Sequence, residues 1–266
     1  MKIIAFVCLT RGYSDMKYYD DIISRNKSII PYLKHFNAKN IIYHEGNIPL
    51  SHQEYIISNS CQCDFVNLME IKTKAFRDIG KVKPTDVIYE TPLSKCYSIG
   101  YRHMCHFWFV DFLTLLEYDF VIRVDEDCVL RAFPLDVFEN ENFAFITPLY
   151  NGVDVEDVTI GLQHTLSKFH ILTGTTEKYA IKQCLKNPYT NVFVMNVKFF
   201  INNEIFNKYV KYIDSSNGIY INRWGDLPLM GYFLLNFLSD KEYLIDKRIS
   251  YYHKSHRIEI NKKYIL

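Results

Sequence analysis

The strongest constraint on this chain is an alternation. Short β-type apolar runs (residues 3–9, then AKNIIYHEG and CDFVNLMEI) are separated by segments with helical spacing. The clearest of these, residues 18–33, carries Ile22, Ile23, Ile29, Ile30 and Leu33 at helical intervals. A short helix is expected at SHQEYIIS and a buried one over residues 95–116, where YRHMCHFWFVDFLTLL is apolar on most sides. Beyond these, strands are expected at residues 120–124, at FAFITPLY and over 191–197, and helices over 157–169, 178–185 and 200–213. Strand and helix in turn imply an α/β fold, with a Rossmann-like, mostly parallel central sheet flanked by helices. Residues 73–94 carry Gly80, Pro84, Pro92 and many charges, and read as a long loop or lid.

One strand ends abruptly. YDFVIRVDEDCVLRAFP runs through an apolar stretch broken only by Arg123 and stops at Asp125, Glu126 and Asp127. Three carboxylates between buried segments repel one another unless a cation or hydrogen-bond donors compensate them. Acids at a strand end are often only a solvated turn, but in open α/β sheets ligands gather at the carboxyl ends of strands. Alternate residues leaving a strand share a side, so Asp125 and Asp127 are expected to hold one cation while Glu126 faces elsewhere. Hard oxygen ligands suit Mn2+ (or Mg2+), with phosphate oxygens completing the shell. Neither GxxxxGK[ST] nor GxGxxG occurs, so a metal rather than a glycine loop would hold a diphosphate. His253 in YYHKSH and Asp226 in RWGD are the other polar residues expected at this site.

Bulk properties exclude some classes. A net charge of +1 argues against a broad basic face for nucleic acid. At 266 residues the chain is long enough for one large core, and one domain is expected. The seven cysteines are odd in number and scattered through apolar runs, so they read as reduced core residues; Cys61 and Cys63 alone are weak evidence for zinc. The opening MKIIAFVCLTRG is a short apolar run that meets Arg11, which suits a first strand better than a signal peptide. No apolar stretch approaches the ~20 residues of a membrane span. A soluble, cytoplasmic-like chain with no intrinsic membrane segment is the expectation.

Four blocks in order, YRHMCHFW (101–108), RVDED (123–127), NRWGDLP (222–228) and ISYYH (249–253), resemble the signatures of the fungal α-1,2-mannosyltransferases. FVCLTRG and DVTIGLQHTLSKF extend the likeness over most of the chain. The resemblance implies a GT-A fold and retaining transfer of a sugar, mannose from GDP-mannose, to a glycan or protein hydroxyl. It divides the domain into a nucleotide-binding half, 1–130, and an acceptor-side half, 131–266. By it, Asp125, Asp127 and His253 are metal ligands and Asp226 is catalytic, with an N-cap role as its alternative. Arg11, Tyr101, Arg102, Asp125 and Glu126 are implied to bind the donor. Three departures stand out: the family's EPD is DED here, its candidate nucleophile glutamate aligns with Phe193, and the membrane anchor and stem typical of the family do not appear in this sequence. Two other classes remain: an inactive nucleotide-sugar-binding module, which Phe193 favours, and a metal-dependent nucleotidyltransferase or phosphoesterase.

Overall fold

The structure, a computed structural model, describes residues 2–71, 98–115, 117–150, 156–186 and 188–261. An inner strand of its main sheet, β1 (Ile4–Thr10), is almost wholly buried. It pairs in parallel with β2 (Lys39–His44), which carries β3 (Asp64–Asn67) outside it, and on its other flank with β4 (Phe120–Val124). Next to β4 lies β7 (Val192–Asn196), antiparallel to both β4 and β6 (Phe145–Thr147), and β8 (Tyr243–Ile245) closes the edge parallel to β6. The sheet order is β3-β2-β1-β4-β7-β6-β8, mostly parallel as expected. A second sheet, β10-β9-β5, joins β5 (Cys128–Ala132), β9 (Ser250–His253) and β10 (Ile258–Ile260).

Period-2 alternation sorts the side chains onto two faces. Ala5, Val7, Val121, Phe193 and Met195 join one buried cluster, and Ile4, Phe6, Phe120, Ile122, Val192 and Val194 join the other. On the second face lies α1 (Asp20–Phe36), whose start and stop follow its sequence. Asp20 and Asp21 sit in its first turn, Lys34 and His35 in its last, and Asn37 ends it in the left-handed region at φ 48°. The helix α2 (Leu50–Asn59) packs with it around Ile22, Ile23, Ile42 and Ile56.

The described part of the expected 95–116 helix is α3 (Ile99–His106), continued by a wide π turn, Phe107–Asp111, and a tight 3-10 turn, Phe112–Leu115. Of the three later expected helices, the first is a 3-10 turn, Glu156–Thr159, followed by α4 (Leu162–Thr173), and the second is a 3-10 turn, Ile181–Lys186. The single helix expected over 200–213 is two, α5 (Val197–Asn202) and α6 (Glu204–Ser215). Asn203 between them is extended, and its side chain accepts from the Phe206 N–H, so it breaks one helix by capping the next. Then follow α7 (Gly218–Ile221) and α8 (Asp226–Phe237). The expected lid, 73–94, lies outside the described residues. Among the described residues no helix is long and apolar enough to cross a membrane, and Cys8, Cys61, Cys63, Cys105, Cys128 and Cys184 are free thiols.

Candidate active site

A cleft of about 580 Å³ opens at the carboxyl end of β4, lined by the acidic triplet, Tyr101, Asp226, His253 and their neighbours. The triplet is a turn rather than a continued strand, since the Cys128 N–H donates to the Asp125 carbonyl at 3.0 Å. That turn, not strand alternation, sets where each acid goes.

Asp125 points back along β4. Arg123 grips its carboxylate through two hydrogen bonds, Nε to Oδ1 at 2.7 Å and Nη2 to Oδ2 at 3.0 Å, and gives Nη1 to Asp226 Oδ2 at 2.7 Å. Asn191 adds a bond to Asp125 Oδ2 at 3.1 Å and accepts from the Asp125 N–H. The guanidinium itself lies 4.1 Å from the centre of the Trp108 ring. A buried arginine in a strand is thus neutralised by two carboxylates and stacked on an indole, which is what lets the apolar run tolerate it. Burial pushes the Asp125 carboxyl upward, and Arg123 opposes this.

Glu126 faces the end of β1. It accepts from Thr10 Oγ1 and, at 3.2 Å, from the Tyr13 hydroxyl. Burial raises its pKa to about 7, with neighbouring acids adding to the effect and these two donors opposing it.

Asp127 meets His253 because β5 and β9 pair antiparallel with Cys128 opposite His253. One ladder therefore closes a gap of more than a hundred residues in sequence. His253 Nε2 lies 3.1 Å from Asp127 Oδ2, and the Ser255 hydroxyl is 3.1 Å from the same nitrogen. Burial raises the Asp127 pKa, but hydrogen bonds with His253 and Ser255 outweigh it and leave the group at about 2. Among the described residues, Asp127, Cys128 and His253 bring ligand atoms within 4.8 Å of one another. The Cys128 thiol lies wholly buried in the apolar cluster beneath the turn, where burial holds it far above its ordinary range. What remains, one carboxylate and one imidazole, fits a divalent ion that keeps several positions for phosphate and water. Asp125, expected to share that ion, is turned toward Arg123 instead.

The RWGD block folds around its tryptophan. Trp224 Nε1 donates to the Ile160 carbonyl at 2.8 Å, and a Cβ at Gly218 would come within 2.2 Å of the indole, so only glycine fits beneath it. Asp226 does not cap the helix it opens. Gly225 holds the N-cap position without a side-chain bond, and Asp226 in the first turn reaches across to Arg123. Tyr101 lines the cleft, and its hydroxyl accepts from Arg223 at 2.8 Å. Arg102 is not at the cleft: it is buried, donating to the Tyr220 carbonyl at 2.6 Å, because its turn of α3 faces α7. Arg11 is exposed beside Tyr13, 5.2 Å from that ring, and reaches the cleft only through Tyr13 and Glu126.

Sequence reasoning missed Tyr189, Asn191, Arg223 and His256, all of which line the cleft. His256 was legible as the second histidine of YYHKSH; nothing local marks Tyr189 or Asn191.

A family model described as glycolipid 2-alpha-mannosyltransferase matches residues 164–263, a stretch that carries Asp226 and His253. The probable mannosyltransferase MNT3 of Candida albicans is 26% identical over 170 residues, 59% of this chain and 44% of that protein. The O-glycoside alpha-1,2-mannosyltransferase omh1 of Schizosaccharomyces pombe is 22% identical over 277 residues, 94% of this chain and 68% of that one. Over part of its length the chain is thus similar in sequence to fungal α-1,2-mannosyltransferases. It spans less than half the length of the first such relatives, 44% of MNT3 and 43% of KTR3 from Saccharomyces cerevisiae. The likeness of fold covers nearly the whole chain: the mannosyltransferase Ktr4p of S. cerevisiae superposes with a TM-score of 0.75 at 17% identity, covering 95% of this chain and 70% of that one. Core-mannan synthase A of Aspergillus fumigatus, solved in an Mn/GDP form, gives 0.72 at 17% identity over 95% of this chain and 75% of that one. The architecture is the GT-A type.

Proposed function

We propose that this chain is a metal-dependent glycosyltransferase that moves a sugar, mannose from GDP-mannose, to an acceptor hydroxyl on a glycan or protein with retention of configuration. One observation carries the reading: the Asp127–His253 pair and the Arg123–Asp226 pair line one cleft at the end of β4, in a chain related to mannosyltransferases.

Asp127 and His253 would hold Mn2+, which when bound neutralises charge on the departing diphosphate. Glu126, with Thr10 and Tyr13, would accept the ribose hydroxyls, and Tyr101 with Arg223 would border the sugar. Asp226, held by Arg123 with its Oδ2 engaged, would turn its other oxygen to the acceptor hydroxyl. Phe193 faces Arg123 across the β4–β7 ladder and packs on Phe145 at 4.6 Å, so position 193 supplies no nucleophile. Front-face attack assisted by the leaving phosphate accounts for retention without one.

The test is GDP-mannose with a methyl mannoside acceptor and Mn2+, followed by proton NMR of the product. An α anomeric signal is expected. A β product rejects the mechanism; manganese-dependent GDP binding without transfer or hydrolysis supports the inactive module that Phe193 would suit.

A further inference from the structure

Tyr189 is clamped flat against Tyr150, with ring centroids 3.9 Å apart and planes 9° apart, and is itself buried. Its hydroxyl reaches two histidines at once, His253 Nδ1 at 2.9 Å and His256 Nδ1 at 3.1 Å. The two imidazoles stack at 4.3 Å. A phenol has a single hydrogen to give, and a neutral imidazole carries one N–H. Tyr189 therefore donates to one Nδ1 and accepts an N–H from the other, which puts the two rings in opposite tautomers. Two like rings, both Nδ1–H, would leave the hydrogen of a buried phenol without an acceptor among the described residues.

Without a cation, His253 Nε2 gives its N–H to Asp127 Oδ2, so its Nδ1 accepts from Tyr189 and His256 donates from Nδ1. A cation on Asp127 and His253 needs a bare Nε2. His253 must then carry its proton on Nδ1 and donate to Tyr189, and Tyr189 must donate to His256 Nδ1. The protons balance: His253 Nε2 releases one to water, His256 Nε2 takes one from water, and the protons between them shift by one bond.

We propose that Tyr189 couples these histidines so that a divalent cation at Asp127 and His253 fixes His256 as an Nε2–H donor to the diphosphate sharing the cleft. This rests on the nucleotide-sugar reading above. His256 is a rim residue of the cleft, with its Nδ1 taken by Tyr189, so Nε2 is the atom left for a ligand. It donates a hydrogen bond to phosphate and is not a second metal ligand.

The experiment is calorimetric titration of the folded chain with Mn2+ alone and with GDP in saturating Mn2+, for wild type, His256→Ala and His256→Gln. Because His256 is exposed, both variants should fold, which circular dichroism checks. His256→Ala should leave Mn2+ affinity within about twofold and weaken GDP about tenfold, as loss of a hydrogen bond to a charged group does; Gln, which keeps an N–H, should recover most of it. Side-chain 15N NMR with diamagnetic Mg2+ should show the His256 proton moving from Nδ1 to Nε2. A tenfold loss of Mn2+ affinity in His256→Ala would make it a ligand and overturn the proposal, as would unchanged GDP affinity. A wild-type chain that binds neither Mn2+ nor GDP rejects instead the nucleotide-sugar reading beneath it.

Discussion

Asp226 has a partner that limits what it can do. Arg123 holds one of its oxygens at 2.7 Å while holding both oxygens of Asp125, so one guanidinium fixes two acids of the cleft in place. Asn at position 226 keeps an oxygen for Arg123 but loses the charge. Asp226→Asn is therefore expected to lower stability by about 1–2 kcal/mol, the difference between a charged and a neutral hydrogen bond, with the fold intact. If the carboxylate orients the acceptor, sugar transfer should fall at least about a hundredfold while GDP affinity changes little. Steady-state kinetics beside thermal unfolding measure both, and a wild-type turnover would leave Asp226 as a structural partner of Arg123 alone. The sequence showed Arg123 only as an interruption of an apolar run; its two acids lie in separate blocks, and spacing says nothing about which carboxylate a guanidinium will find.

Elements with strong periodicity were legible, and pairings were not. β1, α1 and β2 lie within a few residues of their expected positions because burial of one face imposes the pattern. β8 and β10 are three residues each, too short to show a period, and β5 hides behind the acidic turn although it is what carries Asp127 to His253. The expected 95–116 helix likewise concealed a π turn. That turn places Asp111 beside His106, whose Nδ1 lies 3.1 Å from Asp111 Oδ2 and whose Nε2 lies 3.0 Å from Asp214 Oδ1 on α6. Burial lowers the His106 pKa, but the two carboxylates more than reverse this, so the folded value is raised above 6.5. A group raised in the fold adds stability that is fully present below its unfolded pKa and is lost as pH rises through the folded value. His106→Asn should thus cost about 3 kcal/mol near pH 6, as breaking a buried charge pair does, and progressively less at alkaline pH. Urea unfolding of both proteins between pH 5.5 and 9 reads the gap directly; a gap that widens with pH contradicts the assignment.

At the scale of the molecule, the cleft is where the two sheets meet. β4 belongs to the large sheet and β5 to the small one, and the acidic turn is the link between them. An α/β fold with its ligand site at a strand end was readable from alternation and the DED triplet, but the second sheet was not, since its strands are short and β5 lies more than a hundred residues before the β9–β10 hairpin. A ligand that bridges Asp127 on the turn, His253 on β9 and Glu126 against β1 ties both sheets together only in the folded chain. Binding to the native state alone raises stability by about 2.7 kcal/mol at a hundred times the dissociation constant. GDP and Mn2+ together are accordingly expected to raise the melting temperature by more than the sum of either added singly, because each completes the other's site. Asp127→Ala should abolish the manganese-dependent part; because it also removes the hydrogen-bonded partner of the buried His253, its own melting temperature in buffer should fall while the chain still folds. Differential scanning fluorimetry over both ligands decides the matter, and an Asp127→Ala chain that keeps the full joint shift would remove this carboxylate from the metal site.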